Sequence, residues 1–351
     1  MECTRVTQTS SAAPSISYTS LSSPDETTRQ QAAIGFSQTL QTWGACRIRD
    51  HGIPQHIIDD CFNKCPSWFE QSISDKLKDS CNLAAKSHAR FVPFGSDKIS
   101  DDAVLDESLE FQGNAFSSRG HSSDSARALS KPGKELLDAS GHMHDECKHI
   151  MHTLLDSLTY GTNNSSLACL HKEQNTFFAP YLYYFPEDDA EDRTLRAPPH
   201  IDPTTLLLCF QDSHFGLEIA DMSTIDSNAD LSTAAVKKAV SSLETPYIPV
   251  PCRPNEVMVL AGHLLRRIMP GMKHSVHRVR RPLGTSGYHL NFWIVPNLQV
   301  DVSGCSASKA CCETDVEDER KKEDVAAYLA RVSPSSVPFL DQKRLEMACT
   351  T

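Results

Sequence analysis

Apolar positions along this chain keep two different periods, and the change between them marks its organisation. Over residues 30–42 they recur at helical spacing, with Phe36, Leu40 and Trp43 at i, i+4 and i+7. Gly44 predicts the end of that helix, and residues 45–49 read as a strand closed by the His51-Gly52-Ile53-Pro54 turn. A second helix is expected from residue 55, with Ile58, Cys61, Phe62, Cys65 and Phe69 on one face and a kink or break at Pro66. Residues 16–21 predict a short edge strand, residues 80–130 a mixed region with turn-rich loops, and residues 133–157 a longer helix. From residue 174 to 300 the pattern shortens to apolar runs at 181–185, 204–210, 216–219, 247–250, 257–260, 274–280 and 289–295, broken by Pro and Gly. Many short strands with turns between them predict a β-sandwich or barrel. Residues 221–245 interrupt these runs as a helix-containing insertion, and residues 315–332 predict a terminal helix, acidic early and basic late.

The chain therefore divides into a Ser/Thr-rich N-terminus (1–15) expected to be disordered, a helical and mixed module (16–130), a helical connector (131–173), a β domain (174–300) carrying the 221–245 insertion, and a charged tail with a helix (301–351). Its 39% hydrophobic and 23% charged residues are those of a soluble globular protein. A net charge of -11 speaks against nucleic acid as a partner, since phosphate binding wants clustered Lys and Arg. No apolar run approaches the roughly 20 residues of a membrane span, and Met1-Glu2-Cys3-Thr4-Arg5 lacks the apolar core of a secretory signal. The 13 cysteines are scattered, adjacent only at Cys311-Cys312, which predicts reduced thiols and a cytoplasmic location.

Candidate chemistry sits at His200-Ile201-Asp202, with a further histidine downstream at His277. On a strand, residues i and i+2 project to one side, so His200 and Asp202 are expected together while Ile201 faces away. Two imidazoles and one carboxylate form the facial ligand set of non-haem Fe(II) oxygenases, which leaves positions open for oxygen and an organic ligand. His142, His144, His149 and His152 are expected instead to make a polar helix face, with His144 beside Lys148. His51 reads as structural; Phe62, Trp68 and Phe69 read as core.

Several motifs then accumulate in order. Thr42-Trp43-Gly44-Ala45-Cys46-Arg47-Ile48 with Asp50-His51-Gly52-Ile53-Pro54, and Asp106-Glu107-Ser108-Leu109-Glu110-Phe111, are the first two. His200-Ile201-Asp202-Pro203-Thr204-Thr205, Lys273-His274-Ser275-Val276-His277-Arg278-Val279 and Asn291-Phe292-Trp293-Ile294-Val295-Pro296 follow. Together, over residues 16–300, they resemble the isopenicillin-N-synthase-like 2-oxoglutarate/Fe(II)-dependent dioxygenases. The resemblance implies a mainly β fold with flanking α: a double-stranded β-helix core (a cupin-like jelly roll) with N-terminal helices and a C-terminal helix. It implies His200, Asp202 and His277 as iron ligands, with His277 preferred over His274, which would stand behind them. It also implies 2-oxoglutarate as co-substrate.

One departure stands out. The family places an Arg ten residues after the second histidine and a Ser two further on, to hold the distal carboxylate of 2-oxoglutarate. Those positions here are Gly287 and His289, and the family's Asn and Tyr before a Pro turn correspond to Tyr183 and Phe185. Glycine cannot make the bidentate contact that arginine gives a carboxylate. His289 and Tyr183 are the substitutes expected on position, with Arg193, Arg196, Arg266, Arg267, Arg280 and Arg281 as further cations. The resemblance thus implies an oxygenase that hydroxylates, desaturates or cyclises a small, partly apolar molecule of secondary metabolism, using O2. The departure keeps open an Fe(II) oxidase that does without 2-oxoglutarate. A third alternative is a retired jelly roll that only binds a small molecule. Phe177, Phe178, Phe292 and Trp293 are expected near the cavity, and residues 221–245 and the C-terminal helix as its lid.

Overall fold

The computed structural model describes residues 13–87, 89–93, 98–100, 103–104, 107–116, 129–160, 167–171, 176–183, 195–212, 216–224, 246–280, 287–302 and 323–332. The 221–245 insertion beyond residue 224, the start of the expected terminal helix, Cys311-Cys312 and the first twelve residues lie outside them.

The described helices are α1 (Tyr18–Leu21), α2 (Glu26–Trp43), α3 (Gln55–Phe69), α4 (Ile73–Ser87), α5 (Lys131–Leu158), α6 (His263–Ile268) and α7 (Val325–Val332). The N-terminal strands are β1 (Ser15–Ser17), β2 (Ala45–Arg49), β3 (Ala89–Val92), β4 (Lys98–Ser100), β5 (Ala103–Val104) and β6 (Glu107–Gln112). The remainder are β7 (Phe177–Tyr183), β8 (Leu195–His200), β9 (Leu206–Gln211), β10 (Leu217–Ala220), β11 (Tyr247–Pro249), β12 (Glu256–Ala261), β13 (His277–Arg280) and β14 (Gly287–Ile294). An eight-stranded sheet in the order β1-β2-β12-β9-β14-β7-β6-β3 faces a four-stranded sheet in the order β11-β10-β13-β8. That is the jelly roll expected from the motifs, with β1, β2, β3 and β6 adding four strands to the large sheet.

Local chemistry explains the element ends. The Asp25 side chain accepts from Thr28 N–H at 2.8 Å and starts α2 four residues before the apolar pattern does. Gly44 ends it at φ +67°, where a Cβ would strike the backbone carbonyl of His274. Residues 16–21 do not form one strand: β1 stops at Ser17, Tyr18 opens a helical turn, and β1 pairs in parallel at the sheet edge. α3 runs through Pro66 without a break; Cys61, Cys65, Trp68 and Phe69 are buried, and α3 packs on α5, which holds the helix together where proline removes a backbone bond. α4, which runs into the expected mixed region at residue 80, is a regular helix whose buried positions over residues 73–81 are polar. Lys76 reaches Glu107 at 2.6 Å, and Asp79 takes Trp68 Nε1 at 3.2 Å and Ser130 N–H at 2.8 Å, while Ile73 and Leu77 face solvent.

Strand alternation splits the large sheet into two faces. Leu109, Phe111, Phe178, Leu208, Phe210, Leu290, Phe292 and Ile294 pack in one core with Trp68, Leu136, Met143 and Ile150 of the helices. The intervening residues turn toward the small sheet, where Leu207, Cys209, Met258 and Leu260 meet Leu217, Ile219 and Val250. A third core joins α7, through Val325, Tyr328 and Leu329, to Phe177 and Leu264.

Candidate active site

β8 and β13 are antiparallel neighbours, and their register sets His200 directly opposite His277. Directly opposed residues share a face, so residues far apart in sequence bring two rings together, 4.2 Å between centroids. The histidine from 277, not 274, joins the pair. β8 ends at His200, so Asp202 does not project from the strand as expected. Pro203 has no N–H with which to extend the ladder, and the chain turns instead.

The start of α6 fixes that turn. His263 N–H donates to Asp202 O at 2.9 Å and Leu264 N–H to Thr204 O at 3.0 Å. Gly262 permits the approach, since a Cβ there would run into Thr204 and Asp202 backbone oxygens. His171 locks the far side: its Nδ1–H donates to Leu167 O at 2.7 Å, so Nε2 accepts from Thr205 Oγ1 at 2.8 Å. Thus held, Asp202 Oδ2 lies 3.4 Å from His277 Nε2 and Oδ1 lies 3.9 Å from His200 Nε2.

One ligand atom from each of the three residues falls within 4.8 Å of the others, the one such group of three or more among the described residues. His200 Nδ1 sits 2.8 Å from Pro198 O and His277 Nδ1 3.2 Å from Ser275 O. Each Nδ1 therefore carries the proton and each Nε2 presents its lone pair to the shared centre, the tautomer a metal requires. Asp202 Oδ2 is buried with no hydrogen-bond partner among the described residues. A buried carboxylate oxygen facing two imidazole lone pairs is repulsive unless a cation intervenes, so the donor set fits a divalent metal with N/O preference.

His263 and His274 stand behind the turn with rings 4.8 Å apart; burial holds His263 down at about 4 and His274 well below the usual imidazole range. Both are neutral structural groups near the ligands and are absent from the triad.

The co-substrate positions read differently. Gly287, His289, Asn291 and Trp293 share the inner face of β14, as alternation predicts. Burial and the neighbouring His277 push His289 down to about 3, so it stays neutral and cannot offer a carboxylate the expected charge. Its Nδ1 lies 3.9 Å from Cys209 Sγ. The backbone of Tyr183 pairs with Gly287, while the Tyr183 side chain, Phe185, Arg193 and Arg281 lie outside what is described, as does the side chain of Arg196. Arg267 is taken by Glu323 at 3.2 Å and lies over Tyr328; Arg280 reaches Glu218 at 3.0 Å. On β14 itself a distal carboxylate meets only neutral groups.

Two further expectations are corrected. Phe178 and Phe292 point to the helices, leaving Phe177 and Trp293 as the inner aromatics. His144 is buried, 2.8 Å from Thr176 Oγ1 and packed by Phe116 and Phe292, whereas His142, His149 and His152 are exposed as expected. Sequence reading missed Gly262 and His171 as supports of the ligand turn; neither has a pattern signal, because their role comes from contacts across the fold.

Comparison with known proteins agrees with this geometry. Residues 174–296 match the 2OG-Fe(II) oxygenase superfamily. The chain is 24% identical over 290 residues to the 2-oxoglutarate-dependent dioxygenase frbA of Dothideomycetidae sp. (strain 11243), covering 78% of this chain and 80% of that one. It is 26% identical over 214 residues to gibberellin 20 oxidase 2 of Arabidopsis thaliana, covering 58% and 53%. Full-length T7H of Neurospora crassa, solved with alpha-KG, superposes with a TM-score of 0.66 at 18% identity over 92% of this chain and 96% of that one. The stretch that matches the 2OG-Fe(II) oxygenase superfamily, residues 174–296, contains His200, Asp202 and His277, and the relative matched over 80% of its length is named a 2-oxoglutarate-dependent dioxygenase.

Proposed function

We propose that His200 Nε2, one Asp202 carboxylate oxygen and His277 Nε2 hold Fe(II), and that the protein hydroxylates, desaturates or cyclises a small organic molecule, possibilities that share one site. The observation that carries this is the convergence of those three donors beside an otherwise unpartnered buried oxygen. Bound there, Fe(II) with a 2-oxo acid supplies the oxidising power, coupling O2 reduction to decarboxylation and to oxidation of a substrate C–H bond. The chain's own task is to hold and to exclude. Pro198 and Ser275 carbonyls hold each Nδ1 and so turn each Nε2 toward the shared centre, α6 holds the carboxylate in place, and Leu207, Leu217, Ile219 and Val250 keep water from the neighbouring interior.

Structures of T7H have been solved with thymine and with 5-formyluracil, which supports a small ring compound as substrate by analogy. Cytoplasmic location is part of the proposal and is supported by the eight described cysteines, all free. The division into an N-terminal module, a helical connector and a catalytic jelly roll over 174–300 is likewise proposed. No described helix is long and apolar enough to cross a membrane.

The test is metal-dependent succinate release. Fe(II)-loaded protein given O2, 2-oxoglutarate and a panel of small ring compounds is expected to release succinate, and the Asp202→Ala variant is not. Equal release by both overturns the proposal. The neutral face of β14 favours a second reading, oxidation without 2-oxoglutarate, in which O2 uptake persists when the 2-oxo acid is withheld.

A further inference from the structure

The turn that presents Asp202 leans on a helix too short to hold itself. α6 has six residues, and isolated helices shorter than about 12 residues are marginal in water, because nucleation costs more than so few backbone bonds return. Its place is therefore set by what packs on it. Its leading N–H groups go to the ligand turn: Gly262 N–H donates to Thr205 O at 3.2 Å, beside the His263–Asp202 and Leu264–Thr204 bonds. Whatever moves α6 moves those carbonyls, and with them the Asp202 carboxylate.

Two different cores grip α6. Leu265 joins the one between the large sheet and the N-terminal helices, whereas Leu264 joins the cluster built on α7. Leu264, Val325 and Leu329 have no accessible surface. One turn along α6, Arg267 reaches Glu323 at 3.2 Å and lays its guanidinium over the Tyr328 ring, 5.6 Å from the centroid. Ile268 packs against the same cluster. Residues 264, 267 and 268 are neighbours on one helix face, and α7 holds that face.

α7 in turn is seated on the segment that follows β14. Val302 N–H donates to Glu323 O at 2.9 Å, Val325 N–H to Val300 O at 3.0 Å and Ala326 N–H to Leu298 O at 3.1 Å. Asp324 Oδ1 accepts Ala327 N–H at 2.8 Å and starts the helix. At eight residues α7 is marginal alone as well. Two marginal helices that share one apolar cluster open together.

We propose that α7 is the clamp of the metal centre: its docking on α6 and metal binding by His200, Asp202 and His277 strengthen each other, so the C-terminal segment controls how firmly the metal is kept. This rests on the functional reading above. α7 acts through α6, as a positioning element. Linkage makes the coupling reciprocal: if undocking α7 weakens the metal by some factor, bound metal must favour docking by the same factor. The competing account, in which α7 only covers an apolar patch, predicts lost stability with no effect passing in either direction.

Two measurements test the two directions. Mn(II) affinity is read by EPR in the full chain, in Leu329→Asp and in a chain lacking residues 323–351. Amide hydrogen exchange over residues 325–332 of the full chain is followed by mass spectrometry with and without saturating Mn(II). Both variants are expected to bind Mn(II) about tenfold more weakly, and Mn(II) should slow exchange in α7 about tenfold. Asp202→Ala should abolish that slowing, and Leu154→Ala, a core loss on α5, should leave Mn(II) affinity unchanged. Full Mn(II) affinity in folded Leu329→Asp, or an equal loss in Leu154→Ala, overturns the clamp. If neither variant folds, exchange in the full chain decides: Mn(II) that binds without slowing α7 overturns the clamp alone. A full chain that binds no Mn(II) overturns the metal reading, and the clamp with it.

Discussion

The two faces of the large sheet are made by the same strands and do opposite work. On the helix side Leu109, Phe178, Leu208, Leu290 and Phe292 have no accessible surface, and every one is apolar. One residue along each strand, the inner face presents Ser108 and Glu110, Tyr181, Cys209 and Gln211, His289 and Asn291. Burial is nearly as complete there, so position alone does not separate a stabilising residue from a chemical one. What separates them is hydrogen-bond satisfaction. Gln211 shows the structural use of a buried polar group: its Nε2 donates to Val250 O at 3.2 Å and its Oε1 accepts Leu217 N–H at 3.3 Å, tying the sheets together. Asn291 Oδ1 and Asp202 Oδ2 have no such partner among the described residues.

Substitutions on each face sharpen that contrast. Asp202→Ala should have the largest effect: turnover falls to background and metal affinity drops by about a hundredfold or more, measured by Mn(II) titration, while thermal stability holds or rises as the repulsive oxygen is removed. An Asp202→Ala protein that still bound Mn(II) normally would break the assignment of the metal to the turn after β8, across from the inner face. Phe292→Ala, on the other face of the same strand as Asn291, should cost about 3–5 kcal/mol in urea unfolding and leave Mn(II) affinity unchanged in the remaining folded protein.

Gly262→Ala belongs to neither face and tests the turn between them. The added methyl must displace the Asp202–Thr204 carbonyls, so Mn(II) affinity should fall about 10–100-fold with secondary structure retained by circular dichroism. The smallest effect is on acid stability. Burial holds His51 and His171 down at about 4, below their unfolded value of about 6.5. Both are neutral in the fold, so the stability they confer is complete above pH 6.5 and is lost as pH falls toward 4, where the unfolded chain takes up protons first. Urea midpoints measured from pH 7 to 4 should decline, and His171→Gln should flatten the decline.

How legible each part was in the sequence follows from where its specification lies. β2 was readable to its end residues because Gly44 and the His51-Gly52 turn punctuate it. The convergence of His200, Asp202 and His277 was readable because ordered motifs carry all three, although the strand geometry assumed for Asp202 failed at Pro203. α4 was not readable, and the reason is physical: its apolar Ile73 and Leu77 face water while Lys76 and Asp79 are buried on partners supplied by β6, α3 and Ser130. Periodicity of hydrophobic residues cannot find a helix that buries its charges. His289 was placed on the correct face by alternation, but its neutrality arises from burial, which only the fold displays.

The turn at Gly44 carries one more consequence. Its carbonyl accepts Ala261 N–H at 2.8 Å, Lys273 N–H reaches Leu40 O at 3.2 Å, and the glycine itself abuts the His274 backbone, three residues ahead of the second ligand histidine. The amino-terminal module is thus a wall of the strand that presents His277, not an appendage to it. Chimeras that exchange residues 16–49 between relatives should therefore lose Mn(II) affinity unless the 272–276 segment travels with them.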